Sequence, residues 1–259
     1  MEKGTTLATR IIERSLDDEA KLEIETLIRE ISSYDFTTPN FSEAAEDFTK
    51  RLSQEELMVL REYTGYNFKK INALLRNNWN YEEHGRKTEE EEARFREDIS
   101  QIDLIVDKFP KNDKAFITYR GSTLHSFSKY GITSLEELIC LKGKYLYEEG
   151  FTSTSLDEDS SYFNKEIFGK INNVETKYII PPYSQDGMPL INDQLSYSPN
   201  QNEYIIERNS LSKVIDVEIK DNQAIITVLL IPKSIWNKKE KTDTKENISR
   251  MWNTWKKLF

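Results

Sequence analysis

The chain has 259 residues, enough for one large domain or two small ones around a sizeable core. It is 37% apolar, 31% charged and 11% aromatic, the composition of a folded domain with a very polar surface rather than of a disordered chain. A net charge of −9 argues against non-specific nucleic-acid binding, and a single cysteine, Cys140, excludes an internal disulfide.

No apolar run approaches bilayer length, and residues 1–6 lack the apolar core of a signal peptide. The expectation is a protein that stays in the cell that makes it, or one that has lost a leader. Cys140 lies in an apolar helical stretch, residues 135–141, where a buried, inert thiol is expected.

The first half reads as helices. Residues 17–31 carry Leu22, Ile24, Leu27, Ile28 and Ile31 mostly at helical spacing. Ser53 with Glu56 three residues on has the spacing of a capping box. The apolar positions Leu57, Leu60, Ile71, Leu74 and Leu75 follow, with Gly65 as the expected break between two helices. Glu89 to Glu92 reads as a solvated first turn, leading into Phe95, Ile99, Ile102, Val106 and Phe109 before Pro110 ends the run. Asn72 and Arg76 are four apart and share a helix face. By pattern alone Arg76 reads as a solvent charge and Asn72 as a helix-end polar group.

After Pro110 the pattern turns to strands, near residues 115–121, 150–155, 175–180, 204–206, 213–219 and 224–231. Arg120 falls at a strand end, where a guanidinium can grip a carboxylate or phosphate. Ser153, Thr154 and Ser155 are consecutive hydroxyls on one strand. Ser155 with Glu158 has capping-box spacing, which accounts for Ser155 but not for Ser153. Residues 181–194, rich in Pro, Gly and Asp, read as a loop long enough to fold over a ligand. Gln201 and Glu203 stand two apart where a strand begins, so strand geometry would aim both side chains at one face. Helices followed by strands indicate an α+β architecture. The sequence holds no Rossmann or P-loop glycine motif and no Cys/His cluster with metal-ligand spacing. His84 and His125 read as surface or core polar residues. Residues 233–259 hold seven lysines and one arginine against three acids, and Ile248, Met251, Trp252, Trp255, Leu258 and Phe259 fall on one helical face. That basic amphipathic helix is expected to dock on the protein's own surface, with a membrane or translocation partner as the alternative.

The order of an arginine at a strand end, Ser-Thr-Ser on a strand, then Gln-x-Glu resembles the Arg/Ser-Thr-Ser/Glu class of bacterial ADP-ribosyltransferase exotoxins. Residues 52–56, 63–65 and 71–76 resemble the same family, and the likeness covers residues 41–231. It implies two antiparallel sheets around an NAD cleft behind a helical layer. By residue, it implies that Glu203 is the catalytic glutamate, that Ser153 orients it, and that Arg120, Asn72, Arg76 and Thr154 bind NAD. This reverses the plain pattern reading of Asn72 and Arg76. Gln201 is similar to the glutamine of exoenzymes that modify an asparagine on Rho-type small GTPases, where an amide can exchange hydrogen bonds with another amide. The resemblance implies a secreted, monomeric mono-ADP-ribosyltransferase with NAD glycohydrolase side activity, acting on a host GTPase in the host cytosol. Two departures touch substrate-facing loops: Ser198 stands three before Gln201, where an aromatic is usual, and Leu190 stands where another aromatic is expected. Residues 1–40 read as a helical extension, 41–232 as the transferase domain and 233–259 as the basic helix. A catalytically weak binding module, or an intracellular or phage transferase with bacterial targets, are the alternatives.

Overall fold

The computed structural model describes residues 12–13, 15–161, 166–167, 170–171, 173–184 and 186–236. Helix α1 (Asp18–Glu30) begins where the Asp17 carboxylate accepts a hydrogen bond from the Ala20 N–H. A layer of helices follows: α2 (Ser42–Thr49), α3 (Gln54–Glu62), α4 (Phe68–Leu75), α5 (Tyr81–His84) and α6 (Glu89–Lys108). The expected capping box starts α3, with the Ser53 N–H donating to Glu56 Oε2 at 2.8 Å and the Glu56 N–H to Ser53 Oγ at 3.2 Å. Gly65 does not break the helix. It sits in a π-helical turn, Tyr63–Asn67, that carries the chain from α3 into α4. The π-turn admits an extra residue without ending the rod.

The strands are β1 (Phe116–Ser122), β2 (Tyr145–Glu148), β3 (Thr152–Ser155), β4 (Glu166–Ile167), β5 (Lys170–Ile171), β6 (Val174–Ile180), β7 (Gly187–Leu190), β8 (Glu203–Ile206), β9 (Ser210–Lys220) and β10 (Gln223–Ile231). The α+β fold is the expected one. Its main sheet runs β2-β9-β10-β6-β1-β3-β8-β7, antiparallel except for the parallel pair β10–β6. The two expected sheets appear as two halves of this ladder. They meet at β1 and β3 through a single register pair, Tyr119↔Ser155.

Strands β2 and β7 depart from the sequence reading. The stretch expected to be a loop contains β7, which tolerates Pro189 because it is the last strand of the sheet and its outer edge owes no hydrogen bond. Cys140 is half-buried rather than buried. Its segment is a 3₁₀ helix, Glu136–Leu141, whose three-residue repeat sends Leu138 and Leu141 into the core and leaves Cys140 beside it.

The helical layer packs its buried face, including Phe48, Leu60, Tyr63, Ile71, Phe95 and Ile102, against Phe116, Phe151, Tyr204 and Ile205 of the sheet. On a different patch of the sheet, Ile12, Leu16, Ala20 and Ile24 pack with Tyr145, Tyr147, Leu211 and Trp236. Trp236 belongs to α7 (Lys233–Trp236). The rest of the expected basic helix, including Ile248, Met251, Trp252, Trp255, Leu258 and Phe259, lies outside the described residues. Among the described residues no helix is long and apolar enough to cross a membrane.

Candidate active site

Three adjoining strands deliver three side chains to one place. Strand β3 lies between β1 and β8, pairing Ser155 with Tyr119 on one side and with Glu203 on the other. Ser153 pairs with Ile205, so it is the diagonal neighbour of Glu203 on the same face. Its hydroxyl hydrogen-bonds the Glu203 carboxylate. From β1, the Arg120 Nη1 donates to the Ser153 carbonyl at 2.9 Å. Burial raises the Glu203 carboxyl above the usual carboxylate range, opposed by the Ser153 hydroxyl and the Arg120 charge. Arg120, Ser153 and Glu203 are therefore brought together.

Two other expected residues sit differently. Gln201 is not on the strand with Glu203. It ends a 3₁₀ turn, Pro199–Gln201, and Asn202 follows in the left-handed region at φ 46°, so the alternation that would align Gln201 with Glu203 does not hold. The turn is tied to the site in another way: the Ser155 hydroxyl donates to the Gln201 carbonyl at 3.0 Å. Thr154 is buried on the opposite face of β3 from Ser153, and its hydroxyl donates to the Tyr204 carbonyl at 2.7 Å. It fastens β3 to β8 and is not brought to the site.

The helix residues arrive from α4. Buried Asn72 donates through Nδ2 to the Tyr63 hydroxyl at 3.2 Å, while its Oδ1 has no hydrogen-bond partner among the described residues. Arg76 Nε donates to Glu148 Oε1 at 2.7 Å. The hydroxyl of Tyr63 is raised chiefly by burial and then by the charge of Glu203, against Asn72, Arg76 and Arg120. One phenol thus feels both the helix pair and, from the strands, Glu203 and Arg120. Gly150 permits this approach, because a Cβ there would lie 2.6 Å from Asn72 Oδ1 and 3.0 Å from Arg76 Nη2. The sequence reading placed Tyr63 within the family-like stretch but gave it no role, and it passed over Glu148 and Lys129. The available signal was the Glu148-Glu149-Gly150 run directly ahead of the Ser-Thr-Ser strand.

Beside this cluster lies a cavity of ≈ 410 Å³, lined by Arg76, Arg120, Lys129, Tyr147, Glu148 and Tyr178 among others. Exposed His125 is on its rim. Glu203 and Ser153 do not line it, whereas Arg120 serves both places. The cavity presents cations to an anionic ligand, and the carboxylate next to it can stabilise positive charge developing on a bound group. On the outer side, exposed Tyr66 of the π-turn and Tyr197 of the loop before β8 touch, with hydroxyls 3.2 Å apart and ring centres 5.5 Å apart. The Tyr197 N–H also donates to Thr64 Oγ1 at 2.9 Å.

A sequence profile of the ADP-ribosyltransferase exoenzymes matches residues 40–242. The chain belongs to the ADP-ribosyltransferase exoenzyme family. No curated protein sequence gives a significant match. Solved structures of similar fold include C3stau2 of S. aureus with NAD (18% identity, TM-score 0.57, 77% of this chain and 99% of that one). The C3 exoenzyme of Clostridium limosum is similar over 76% of this chain and 97% of its own, at 24% identity and TM-score 0.54. Plx2a, an ADP-ribosyltransferase toxin of Paenibacillus larvae, is similar over 71% and 90%, at 22% identity and TM-score 0.54. As a member of this ADP-ribosyltransferase family, the chain is a transferase that takes ADP-ribose from NAD.

Proposed function

We propose that this exoenzyme moves ADP-ribose from NAD to a side-chain amide, Asn or Gln, of a host small GTPase of the Rho type, releasing nicotinamide. The bond between nicotinamide and the ribose C1′ breaks, the acceptor nitrogen bonds to C1′, and that nitrogen gives up a proton. The observation that carries the reading is the Arg120–Ser153–Glu203 cluster. A carboxylate fixed by a hydroxyl can hydrogen-bond the ribose and stabilise the oxocarbenium-like charge where it forms. Arg76 and Arg120 face the cavity where the diphosphate would lie, and Asn72 offers an unpartnered carbonyl oxygen beside them. The amide acceptor rests on Gln201, which cannot pair with a guanidinium as a glutamate could.

The same reading makes the protein secreted and active in the host cytosol, with 41–232 as its catalytic unit. It also includes slow NAD hydrolysis when no acceptor is present.

The test is nicotinamide release and label transfer from labelled NAD, with host and bacterial lysates compared and the modified band identified by mass spectrometry. Glu203→Gln is expected to lose both activities by about 10²–10³-fold or more. Gln201→Ala is expected to lose transfer and keep hydrolysis. Full hydrolysis by Glu203→Gln would overturn the assignment, and a label found on bacterial proteins alone would overturn the host target.

A further inference from the structure

Outside the proposed catalytic trio, a cluster of charges lies in the wall of the cavity. Glu148, at the end of β2, holds two hydrogen-bond donors and a third cation at ion-pair distance. Its Oε1 accepts from Arg76 Nε at 2.7 Å and from the Gly150 N–H at 2.9 Å, and its Oε2 lies 3.7 Å from Lys129 Nζ. Lys129 comes from another element, the 3₁₀ segment Leu124–Tyr130, and its Nζ also donates to the Tyr147 carbonyl at 2.8 Å and to Glu149 Oε2 at 3.1 Å. The neighbouring Tyr130 closes the same joint: its hydroxyl donates to the Tyr147 carbonyl at 2.9 Å and accepts from the Tyr147 N–H at 3.0 Å. Strand β2 is one of the two edges of the sheet, and this segment partners the Tyr147 N–H and carbonyl there.

Burial would push the Glu148 carboxyl up, but Lys129, Arg76 and the Gly150 N–H outweigh it and hold it at about 2. Lys129 is likewise held charged against its burial, at neutral pH by the Glu148 and Glu149 carboxylates. Glu148 and Lys129 are thus both charged at neutral pH, and the geometry of the network is fixed by three elements rather than one.

We propose that Glu148 and Lys129 are positioning residues for the donor cleft. Glu148 fixes the Arg76 guanidinium, Lys129 fixes Glu148, and together they set the affinity for NAD without taking part in bond cleavage. The inference rests on Arg76 facing the NAD diphosphate, as argued above. It makes a prediction opposite in sign to simple electrostatics. Glu148 is a negative charge in a site for an anion, so by charge alone its removal should tighten NAD binding. If its role is to hold Arg76 in place, its removal loosens binding.

The experiment measures KM for NAD and kcat for nicotinamide release on the full chain, with Tm recorded for each variant. Glu148→Gln is expected to raise KM about tenfold, with kcat within about threefold of wild type. Lys129→Met raises KM as well, Lys129→Arg restores it, and the double variant Glu148→Gln/Lys129→Met is no worse than the poorer single, since both act through Arg76. An unchanged or lower KM in Glu148→Gln overturns the proposal. So do additive effects in the double variant, or a fall in Tm and kcat with KM held. If Glu148→Gln does not fold, Lys129→Met with wild-type KM overturns it equally. Glu203→Gln is run alongside. If it is inactive while the positioning variants keep wild-type KM, only this inference fails. If it is active, the underlying reading fails first.

Discussion

In the proposed reaction Glu203 must be ionised to stabilise a positive ribose, yet burial raises its carboxyl and so favours the neutral form. The acid limb of kcat should therefore lie above the ordinary carboxylate range. The Ser153 hydroxyl pulls the other way by donating to the ionised form. Ser153→Ala removes that donor, so the limb should move to higher pH, while the plateau rate falls less than for Glu203→Gln. A pH–rate profile of nicotinamide release checks this, and a limb that stays in place or moves down would refute it. At this scale the strands themselves were legible from alternation, whereas the choice of Arg120, Ser153 and Glu203 came from the resemblance to a family motif, and the structure brings those three together. Gln201 was misplaced because one residue, Asn202, turns left-handed and cancels the alternation. Thr154 was misplaced for the opposite reason. Alternation holds there, and it sends the middle residue of Ser-Thr-Ser away from Ser153, into the interior. Glu148 was invisible because its meaning depends on Arg76, a partner 72 positions away.

Between elements, the decisive contact is α4 against the turn joining β2 and β3. Asn72 and Arg76 approach the backbone at Gly150 so closely that the missing Cβ is part of the fit. Gly150→Ala would put a methyl 2.6 Å from Asn72 Oδ1 and 3.0 Å from Arg76 Nη2. Neither atom can easily retreat, since Asn72 is tied to Tyr63 and Arg76 to Glu148. The expected result is a loss of about 1–3 kcal/mol in stability together with a raised KM for NAD, read by chemical denaturation and by kinetics on the same preparation. Wild-type values for both would show that α4 is free to shift. Helices with strong signals, such as α3 behind its capping box and α6 behind its acidic first turn, were legible in the sequence. The short edge strands were not. Strand β2 has only four residues, Tyr145–Glu148, too few for alternation to stand out between Gly143 and Gly150, and β7 contains a proline that argues for a loop wherever both strand edges must be paired.

For the molecule as a whole, the order of helices before strands revealed the layered architecture, but not how the ends of the described chain are fastened. The C-terminal end is held by buried charge. The Lys233 N–H donates to Asp186 Oδ2 at 3.0 Å, the Glu207 N–H donates to the Asp186 carbonyl at 2.9 Å, and Lys233 Nζ pairs with the Glu207 carboxylate. Burial raises Glu207 to about 7, against the pull of Lys233 and with a further push from Asp107 and Asp186. In the unfolded chain the same carboxyl titrates in the usual range, about 4.3. Between these values the folded state holds a proton that the unfolded state has lost, so this group's contribution to stability falls as pH rises from about 4.3 to about 7. Glu207→Gln cannot titrate. The stability of wild type minus that of Glu207→Gln, measured by denaturation at matched ionic strength, should decline from pH 5 to pH 8 by on the order of 2–3 kcal/mol. Subtraction removes the part of Asp186's titration that does not depend on Glu207, since Asp186, also raised by burial, is present in both proteins. A difference that stays flat, or that grows with pH, would mean that the ion pair with Lys233 outweighs burial and that this junction tightens, rather than loosens, above neutrality.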